Sequence, residues 1–104
     1  MFSASHLSEI LEKSEEGPVI IFKYSTECGS SSRLYLDLQK KIKEKVITNP
    51  VYIVTVQNQD ALSKNIAEFF EVQHESPQIL IINKKKLIYT AHHDAIKTED
   101  FIYF

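Results

Sequence analysis

Cysteine is almost absent from this 104-residue chain: Cys28 is the only one, so no disulfide bond can form within the chain. No apolar run approaches the roughly 18 residues that a membrane-spanning helix requires. The residues around Met1 lack the basic flank and apolar core of a signal peptide. A formal net charge of -2 gives no reason to expect nucleic acid or an anionic membrane as a partner. Together these absences lead us to expect a cytoplasmic protein.

Proline and glycine are also scarce, with three and two residues, and the chain has no repeat, linker or low-complexity tract. It is 43% apolar and 25% charged, which is ordinary for a globular protein. At this length a chain buries about two-thirds of the surface that it exposes when unfolded. We therefore expect residues 1–104 to form one domain.

Four segments have the composition of β-strands. β-Branched and aromatic residues form a near-continuous run at Val19–Tyr24, the pattern of a strand that is covered on both faces, and Val51–Val56 is a second predicted strand. Gln78–Ile82 is a third buried run, and the lysine-flanked run Lys86–Ala91 suits a strand at the edge of a sheet. A tight turn predicted at Asn83–Lys85 joins the last two strands as a hairpin.

Four helices are predicted between and around these strands. Apolar residues recur with helical spacing after Ser5, after the cysteine and after Asp60, and the second of these helices is predicted to end at Asn49-Pro50. Thr98 is the predicted cap of a short final helix, Glu99–Phe104. A strand–helix–strand unit is parallel with a right-handed crossover. The order α-β-α-β-α-β-β-α therefore predicts an α/β fold, a four-stranded mixed sheet with helices on both faces.

The cysteine occupies a position where a thiol becomes reactive. It follows a buried strand and precedes a helix, within the polar run Ser25–Ser32. A helix N-terminus presents unpaired N–H groups and the positive end of the helix dipole, and both favour the thiolate of Cys28. Gly29 is expected to allow a tight turn, and Gly29, Ser30 and Ser31 are the predicted thiolate-stabilising residues. This end of the strands is also where open α/β sheets bind ligands.

A second element of the site is Ser76-Pro77, which follows a polar loop and precedes a buried strand, the setting of a candidate cis peptide bond. A strand, a cysteine at a helix start, a crossover and Ser-Pro before the third strand resemble the thioredoxin-like plan over nearly the whole chain. The Cys-x-x-Cys spacing of thioredoxins reads Cys28-Gly29-Ser30-Ser31 here, with serine at the resolving position. More narrowly, Lys23–Cys28 and Val72–Gln78 resemble the YtxJ-type monothiol bacilliredoxins, which typically have Thr-Cys-Pro where this chain has Glu27-Cys28-Gly29.

The resemblance implies a disulfide exchange. In that family the cysteine attacks a mixed disulfide between a client protein and the small thiol bacillithiol, takes up the bacillithiol and restores the client, and a second small thiol regenerates the cysteine. Cys28 is then the catalytic residue, and Thr26, His74, Ser76 and Pro77 form the substrate groove. The resemblance further implies bacillithiol as a co-substrate with no bound cofactor or metal. The implied partners are bacillithiolated client proteins, in redox homeostasis and the stress response, and the implied state is a monomer or a weak homodimer.

Plainer interpretations stand beside these assignments. A lone cysteine is most often an inert core residue, although this one has polar and small neighbours. Ser31 is equally well explained as a polar residue of the first helical turn, and His74 as a solvated loop residue. The alternative for Pro77, which the pattern favours less, is that it only starts a strand. A negative charge at Glu27 disfavours a thiolate beside it, whereas Lys23 and His74 offset that charge if the fold brings them close.

Three further motifs are expected to carry no chemistry. His92-His93-Asp94 suggests a metal site, but adjacent histidines on a strand point to opposite faces, so we expect a surface loop. Lys84–Lys86 is expected to be a solvated turn. Phe101–Phe104 is expected to pack its apolar face on the sheet. The alternative is a subunit interface, because four apolar residues on so short a helix cannot all face inward.

Three functions remain open from the sequence. The first is an enzyme, a monothiol disulfide reductase acting on thiol-capped proteins. The second is a non-catalytic thioredoxin-like module that binds a partner or senses oxidation through Cys28. The third is carriage of an iron–sulfur cluster between two chains and two small thiols, as in monothiol glutaredoxins. The downstream glycine pair expected of such glutaredoxins is missing from residues 83–94, which disfavours this third function.

Overall fold

The computed structural model describes all 104 residues, apart from the side chains of Ile102 and Tyr103. Its strands are β1 (Val19–Tyr24), β2 (Val51–Thr55), β3 (Gln78–Asn83) and β4 (Lys86–His92). They form one sheet in the order β2-β1-β3-β4, in which β1 and β2 are parallel and the other two pairs are antiparallel. The predicted four-stranded mixed sheet and its C-terminal hairpin are therefore confirmed.

Helices cover both faces of this sheet, as predicted. The helices are α1 (Leu7–Ser14), α2 (Gly29–Lys43) and α3 (Asp60–Phe70), followed by two 3₁₀-helices, His93–Ala95 and Thr98–Tyr103. One core cluster joins α1 and α3 to one face, and a second joins α2 and the C-terminal segment to the other. None of the described helices is both long and apolar enough to cross a membrane.

The central strand β1 supplies both cores because its side chains alternate between the two faces. Val19 and Ile21 face α1 and α3, whereas Ile20 and Phe22 face α2, and all four are fully buried. Complete burial of such a side chain stabilises the fold by about 1.5–3 kcal/mol. This strand is therefore fixed on both sides, and its C-terminal end positions the residues that follow it.

The C-terminal segment was predicted to be an α-helix, and the structure gives a 3₁₀-helix instead. Phe101 is buried in the core on the α2 side, with its ring centroid 5.9 Å from that of Tyr89. The ring of Phe104 also lies against Tyr89, at 5.6 Å, and Phe104 remains 37% exposed. The packing predicted for Ile102 and Tyr103 lies outside the described side chains.

Each predicted helix cap lies one residue away from the cap in the structure. Asp60 and Thr98 are the first residues of their helices, and Ser5 lies one residue before its cap. The cap positions belong to His6, Gln59 and Lys97. None of these three donates or accepts a side-chain hydrogen bond as a cap, so the serine, threonine or aspartate signal is not used.

The predicted end of α2 at Asn49-Pro50 is also wrong, because the helix ends at Lys43. The backbone turns at Lys45, which adopts a left-handed φ of 60°. The Val46 N–H then donates to the Lys41 carbonyl at 2.9 Å, so the final carbonyls of the helix are satisfied within the turn. Proline is not needed to stop the helix, and the residues after Lys45 form a separate connection to β2.

Candidate functional site

Cys28 lies in the loop between β1 and α2, directly before the first residue of α2. It is the N-cap residue of α2, with an extended backbone (φ -116°, ψ 119°), and its side chain is half-buried. Its N–H donates to the Ser25 carbonyl at 3.3 Å, and its own carbonyl accepts from the Ser32 N–H at 3.2 Å. The sulfur therefore sits at the positive end of the α2 dipole, on a backbone that is held on both sides.

Four donors at the start of α2 stabilise the Cys28 thiolate. The largest contribution to its lowered pKa is the Ser31 N–H; partial burial opposes it, and the Ser30 N–H and the Ser31 and Ser30 hydroxyls add to it. A hydrogen bond to the charged form favours that form. The proton is thus released at a lower pH than from an ordinary thiol, and the reactive thiolate fraction at neutral pH rises.

Ser31 is held in place for this role by a second hydrogen bond. Its side chain is fully buried, and its Oγ accepts the Ser25 N–H at 3.3 Å. Because the oxygen is already an acceptor toward Ser25, its proton is available for the sulfur of Cys28. Among the residues of the first helical turn, Ser31 therefore links the strand end to the thiol.

Ser25 and Gln57 complete the support of this loop, and the sequence analysis missed both. The Gln57 amide donates to the Ser25 hydroxyl at 2.8 Å and accepts the Thr26 N–H at 3.2 Å. The same Ser25 hydroxyl accepts the Glu27 N–H at 3.3 Å, a local serine turn. A serine two residues before Glu27 is a signal for such a turn, but nothing in the sequence marks the distant Gln57.

The Ser76-Pro77 peptide bond is cis, and Pro77 is buried at the start of β3. The Pro77 carbonyl accepts the His93 N–H at 3.0 Å, and the His93 ring lies 3.4 Å from the Glu75 carboxylate. The loop before β3 is thereby joined to the segment after β4. Thr26, which was predicted to line the same groove, is exposed, and its N–H donates to the Gln57 side chain.

An open groove of about 580 Å³ lies beside the start of α2. It runs between α2, Pro77 and the segment after β4, and its lining includes Ser30 and Arg33. Thr26, His74 and Ser76 are not among the residues that line it, so Pro77 alone of the predicted groove residues does. The volume falls in the range of roughly 300–1,000 Å³ that is usual for small-molecule sites.

The groove carries charges of both signs. Arg33 and Lys97 are its cationic side chains, and Asp37, Asp94 and Glu99 are its acidic ones. Burial raises the pKa of Asp37, but hydrogen bonds from Thr98 and Lys41 outweigh this and lower it. Since Lys41 also lies within 2.9 Å of Asp37, that carboxylate is already neutralised within the protein. Arg33 and Lys97 are matched in number by Asp94 and Glu99, so the groove offers cationic contacts to an anionic ligand without an excess of positive charge.

The family model described as monothiol bacilliredoxin BrxC matches residues 1–101. The chain belongs to this family. A solved structure described as a proposed oxidoreductase with a thioredoxin fold has a TM-score of 0.80 and 26% identity, over 94% of this chain and 87% of that one. Oxidised thioredoxin from Plasmodium falciparum (TM-score 0.70, 12% identity, 97% and 93% coverage) and Fasciola hepatica thioredoxin (0.71, 13%, 95% and 91%) share the fold. These matches confirm the thioredoxin-like fold and support a thiol–disulfide oxidoreductase.

In this monothiol bacilliredoxin, the tight turn predicted for Gly29 is wrong. Gly29 is the first residue of α2, and its φ is not in the left-handed region. A Cβ atom placed on it would meet nothing within 4 Å. Nor is Gly29 among the groups that lower the pKa of Cys28. Its conformational freedom is therefore unused, and the thiolate donors are Ser30 and Ser31.

Gly29→Pro is expected to stabilise the fold by about 0.4–1 kcal/mol. Proline is favoured at the first position of a helix, and the extended backbone of Cys28 is the conformation that a following proline requires. Urea denaturation of the variant and the wild type measures the difference. Gly29→Ala serves as the control for loss of glycine alone, and a Gly29→Pro variant less stable than wild type would contradict this reading of the helix start.

Lys23 and His74 do not offset Glu27 at the cysteine, so the condition under which they would do so is not met. Neither of them is among the groups that shift the pKa of Cys28, and Glu27 is not among them either. Instead, Lys23 Nζ lies 3.2 Å from Nδ1 of His74. The electrostatics of the sulfur are thus set by Ser30 and Ser31, and Lys23 has another role.

The two adjacent histidines do not point to opposite faces. His92 ends β4, but His93 leaves the strand with a left-handed φ of 51°, so the two ring centroids come within 5.3 Å. The expected surface position holds, since both residues are exposed. Among the described residues, no group of three or more histidine, cysteine, aspartate or glutamate side chains is arranged to hold a metal ion.

Proposed function

We propose that this chain removes a small thiol, with bacillithiol as the first choice, from mixed disulfides on cytoplasmic proteins. The observation that carries the proposal is a half-buried thiol, activated by Ser30 and Ser31, in a chain with no second cysteine. The Cys28 thiolate attacks the sulfur of the small thiol in the client disulfide. One S–S bond forms on Cys28 while the old one breaks, and the client leaves as a thiolate. A second small thiol then attacks the cap on Cys28. The two small thiols leave together as a symmetric disulfide, and the Cys28 thiolate is regenerated.

A lowered pKa assists this cycle mainly at its second step. The gain in thiolate fraction is offset in part by a loss of nucleophilicity, because nucleophilicity falls with the thiol pKa along a Brønsted slope of about 0.4–0.5. A more stable thiolate, however, leaves faster when the external thiol attacks the mixed disulfide. This matters for a monothiol enzyme, since Ser31 occupies the position from which a second cysteine would resolve the disulfide.

The groove beside α2 is a suitable site for the non-sulfur part of the small thiol. Its lining includes Ser30, two residues after Cys28 in the chain, but not Cys28 itself, and it presents Arg33 and Lys97. Guanidinium and ammonium groups bind carboxylates by charge-assisted hydrogen bonds. These features support a small thiol that carries carboxylate groups, and bacillithiol is such a thiol.

Arg33→Glu is expected to lower kcat/KM for de-capping by about tenfold, through KM, because one groove cation becomes an anion. Lys86→Glu makes the same charge change at the start of β4, outside the groove lining, and is the matched control. The assay follows loss of the cap from a model client by intact mass. Equal effects of the two substitutions would contradict binding in this groove, because the loss of activity would then follow from the change in net charge alone.

The identity of the cap is tested by presenting one model client with three different small thiols in turn: bacillithiol, glutathione and coenzyme A. We expect faster removal of bacillithiol than of the other two. Removal of all three caps at the same rate would indicate a general monothiol reductase with no preference for bacillithiol. If every client stays capped while Cys28 itself becomes modified, the chain is a redox sensor and the proposal fails.

A further inference from the structure

Lys23 is a buried cation that the proposed chemistry does not use. It lies near the end of β1 with 0% of its surface exposed, on the face that carries Val19 and Ile21. Its Nζ donates to the Ser63 carbonyl of α3 at 3.0 Å and lies 3.2 Å from Nδ1 of His74. Isolated buried charges are costly, so a lysine in this place requires these partners.

His74 connects this cation to the loop that precedes Pro77. Its Nδ1 lies 3.1 Å from the Ser63 hydroxyl as well as 3.2 Å from Lys23 Nζ, although the residue as a whole is exposed. One residue earlier, the Gln73 carbonyl accepts from the buried Gln78 amide at 3.0 Å. The loop is therefore attached to the sheet and to α3 at two consecutive residues.

We propose that Lys23 is a positioning residue: its ammonium group, donating to neutral His74, fixes the segment from residue 72 to residue 76 and with it the Pro77 wall of the groove. An ammonium has only donors, so Nδ1 of His74 must be an unprotonated acceptor for this contact. Protonation of His74 replaces the contact with repulsion between two cations. The attachment of residues 72–76 through His74 to Lys23 is then lost. In acid, Pro77 is therefore no longer held in place as a wall of the groove.

The charges around His74 agree with this arrangement. Its pKa is lowered, first by burial and then by the Lys23 charge, while Glu75 and Asp60 oppose both effects. Glu75 belongs to the same loop and is itself paired with His93, and Asp60 lies at the start of α3. Because the folded state resists a proton that the unfolded chain accepts, stability is lost as the pH falls from the ordinary 6.5 toward the lowered pKa.

The titration of Lys23 sets the pH dependence of stability on the alkaline side. Burial lowers the pKa of Lys23 from 10.5 to about 8. At pH 7 the side chain is therefore still an ammonium, although its surroundings favour the uncharged amine. The free energy of unfolding therefore rises as the pH increases from about 8 to 10.5, because the unfolded chain keeps a proton that the folded one has lost. A residue selected only for stability would be apolar here, which favours a positioning role.

Two substitutions test the proposal, and their main readout is amide hydrogen exchange of residues 72–76, which needs no client and so does not depend on the proposed function. Lys23→Met keeps an unbranched side chain, one heavy atom shorter and without the charge, and we expect at least about tenfold faster exchange in this segment. His74→Asn retains an acceptor near Nδ1 that cannot titrate. As the pH falls below 6.5 toward the lowered pKa of His74, exchange corrected for the intrinsic rate should rise in the wild type and stay level in His74→Asn.

Alkylation of Cys28 by a small reagent is the control, and we expect its pH profile to change in neither variant. If the proposed function holds, Lys23→Met also raises KM for the capped client while kcat changes little. Wild-type exchange at residues 72–76 in Lys23→Met, or an acid response in His74→Asn equal to that of the wild type, would overturn the proposal. Should Lys23→Met fail to fold, the acid response of His74→Asn decides alone.

Discussion

Replacing Cys28 with serine is expected to reduce the removal of small-thiol caps to the uncatalysed rate. The chain has no other thiol, and a serine hydroxyl does not form a nucleophilic anion near neutral pH. The fold should survive, because serine is among the preferred residues at a helix N-cap, the position that Cys28 occupies. The measurement is the rate at which a capped model client recovers its free thiol.

Ser32→Ala is the matched control for this loss. Ser32 is exposed in the same helical turn, and it is not among the donors to the sulfur. It should remove caps at the wild-type rate, with a melting temperature close to that of the wild type. Activity above background in Cys28→Ser would mean that some group other than the thiol performs the exchange, and the assignment of the active residue would be lost.

Ser31→Ala is expected to change both the chemistry and the stability of the site. Its hydroxyl contributes to the lowered pKa of Cys28 and accepts the Ser25 N–H, and the side chain is fully buried. Loss of the hydroxyl raises the pKa of Cys28 toward its ordinary value, although the Ser31 N–H, the largest of the contributions, remains. It also leaves the buried Ser25 N–H without an acceptor, which costs about 1–3 kcal/mol.

The two effects of Ser31→Ala are measured separately. The rate of alkylation against pH gives the thiol pKa, and urea denaturation gives the free energy of unfolding. We expect cap removal to continue at a reduced rate, because the nucleophile is still present. Ser30→Ala is the comparison, since Ser30 is exposed and its weaker hydroxyl bond reaches only the sulfur. An unchanged pKa in Ser31→Ala would show that its hydroxyl is a bystander.

The strands and the position of the cysteine were predictable because both depend on residues that are close together in the sequence. The apolar runs at Val19–Tyr24 and Val51–Val56 have the length and composition of strands, and the polar run at Cys28 falls between the first of them and a helical pattern. The connection lengths then leave few ways to order the strands. The donors Ser30 and Ser31 follow from their distance along the chain from the sulfur, since residues at the start of a helix share one N-terminal cluster of N–H groups.

The parts that could not be predicted depend on contacts between distant residues. Gln57 lies about thirty positions from the loop that it supports, and Lys23 is fifty-one positions from His74. A lysine after four apolar strand residues gives no sign of the partner that allows its burial. The end of α2 was missed for a different reason: Lys45 takes a left-handed conformation that sequence rules reserve for glycine or asparagine.

The most direct test of the account follows the cap itself in a single turnover. A model client carrying one small-thiol cap is mixed with an excess of the wild-type chain, with no other thiol present, and both proteins are weighed intact over time. We predict that the chain gains the mass of one cap, on Cys28, at the rate at which the client loses it. A client that sheds its cap while the chain gains no mass, or a client that keeps it, would contradict the transfer on which the whole account depends.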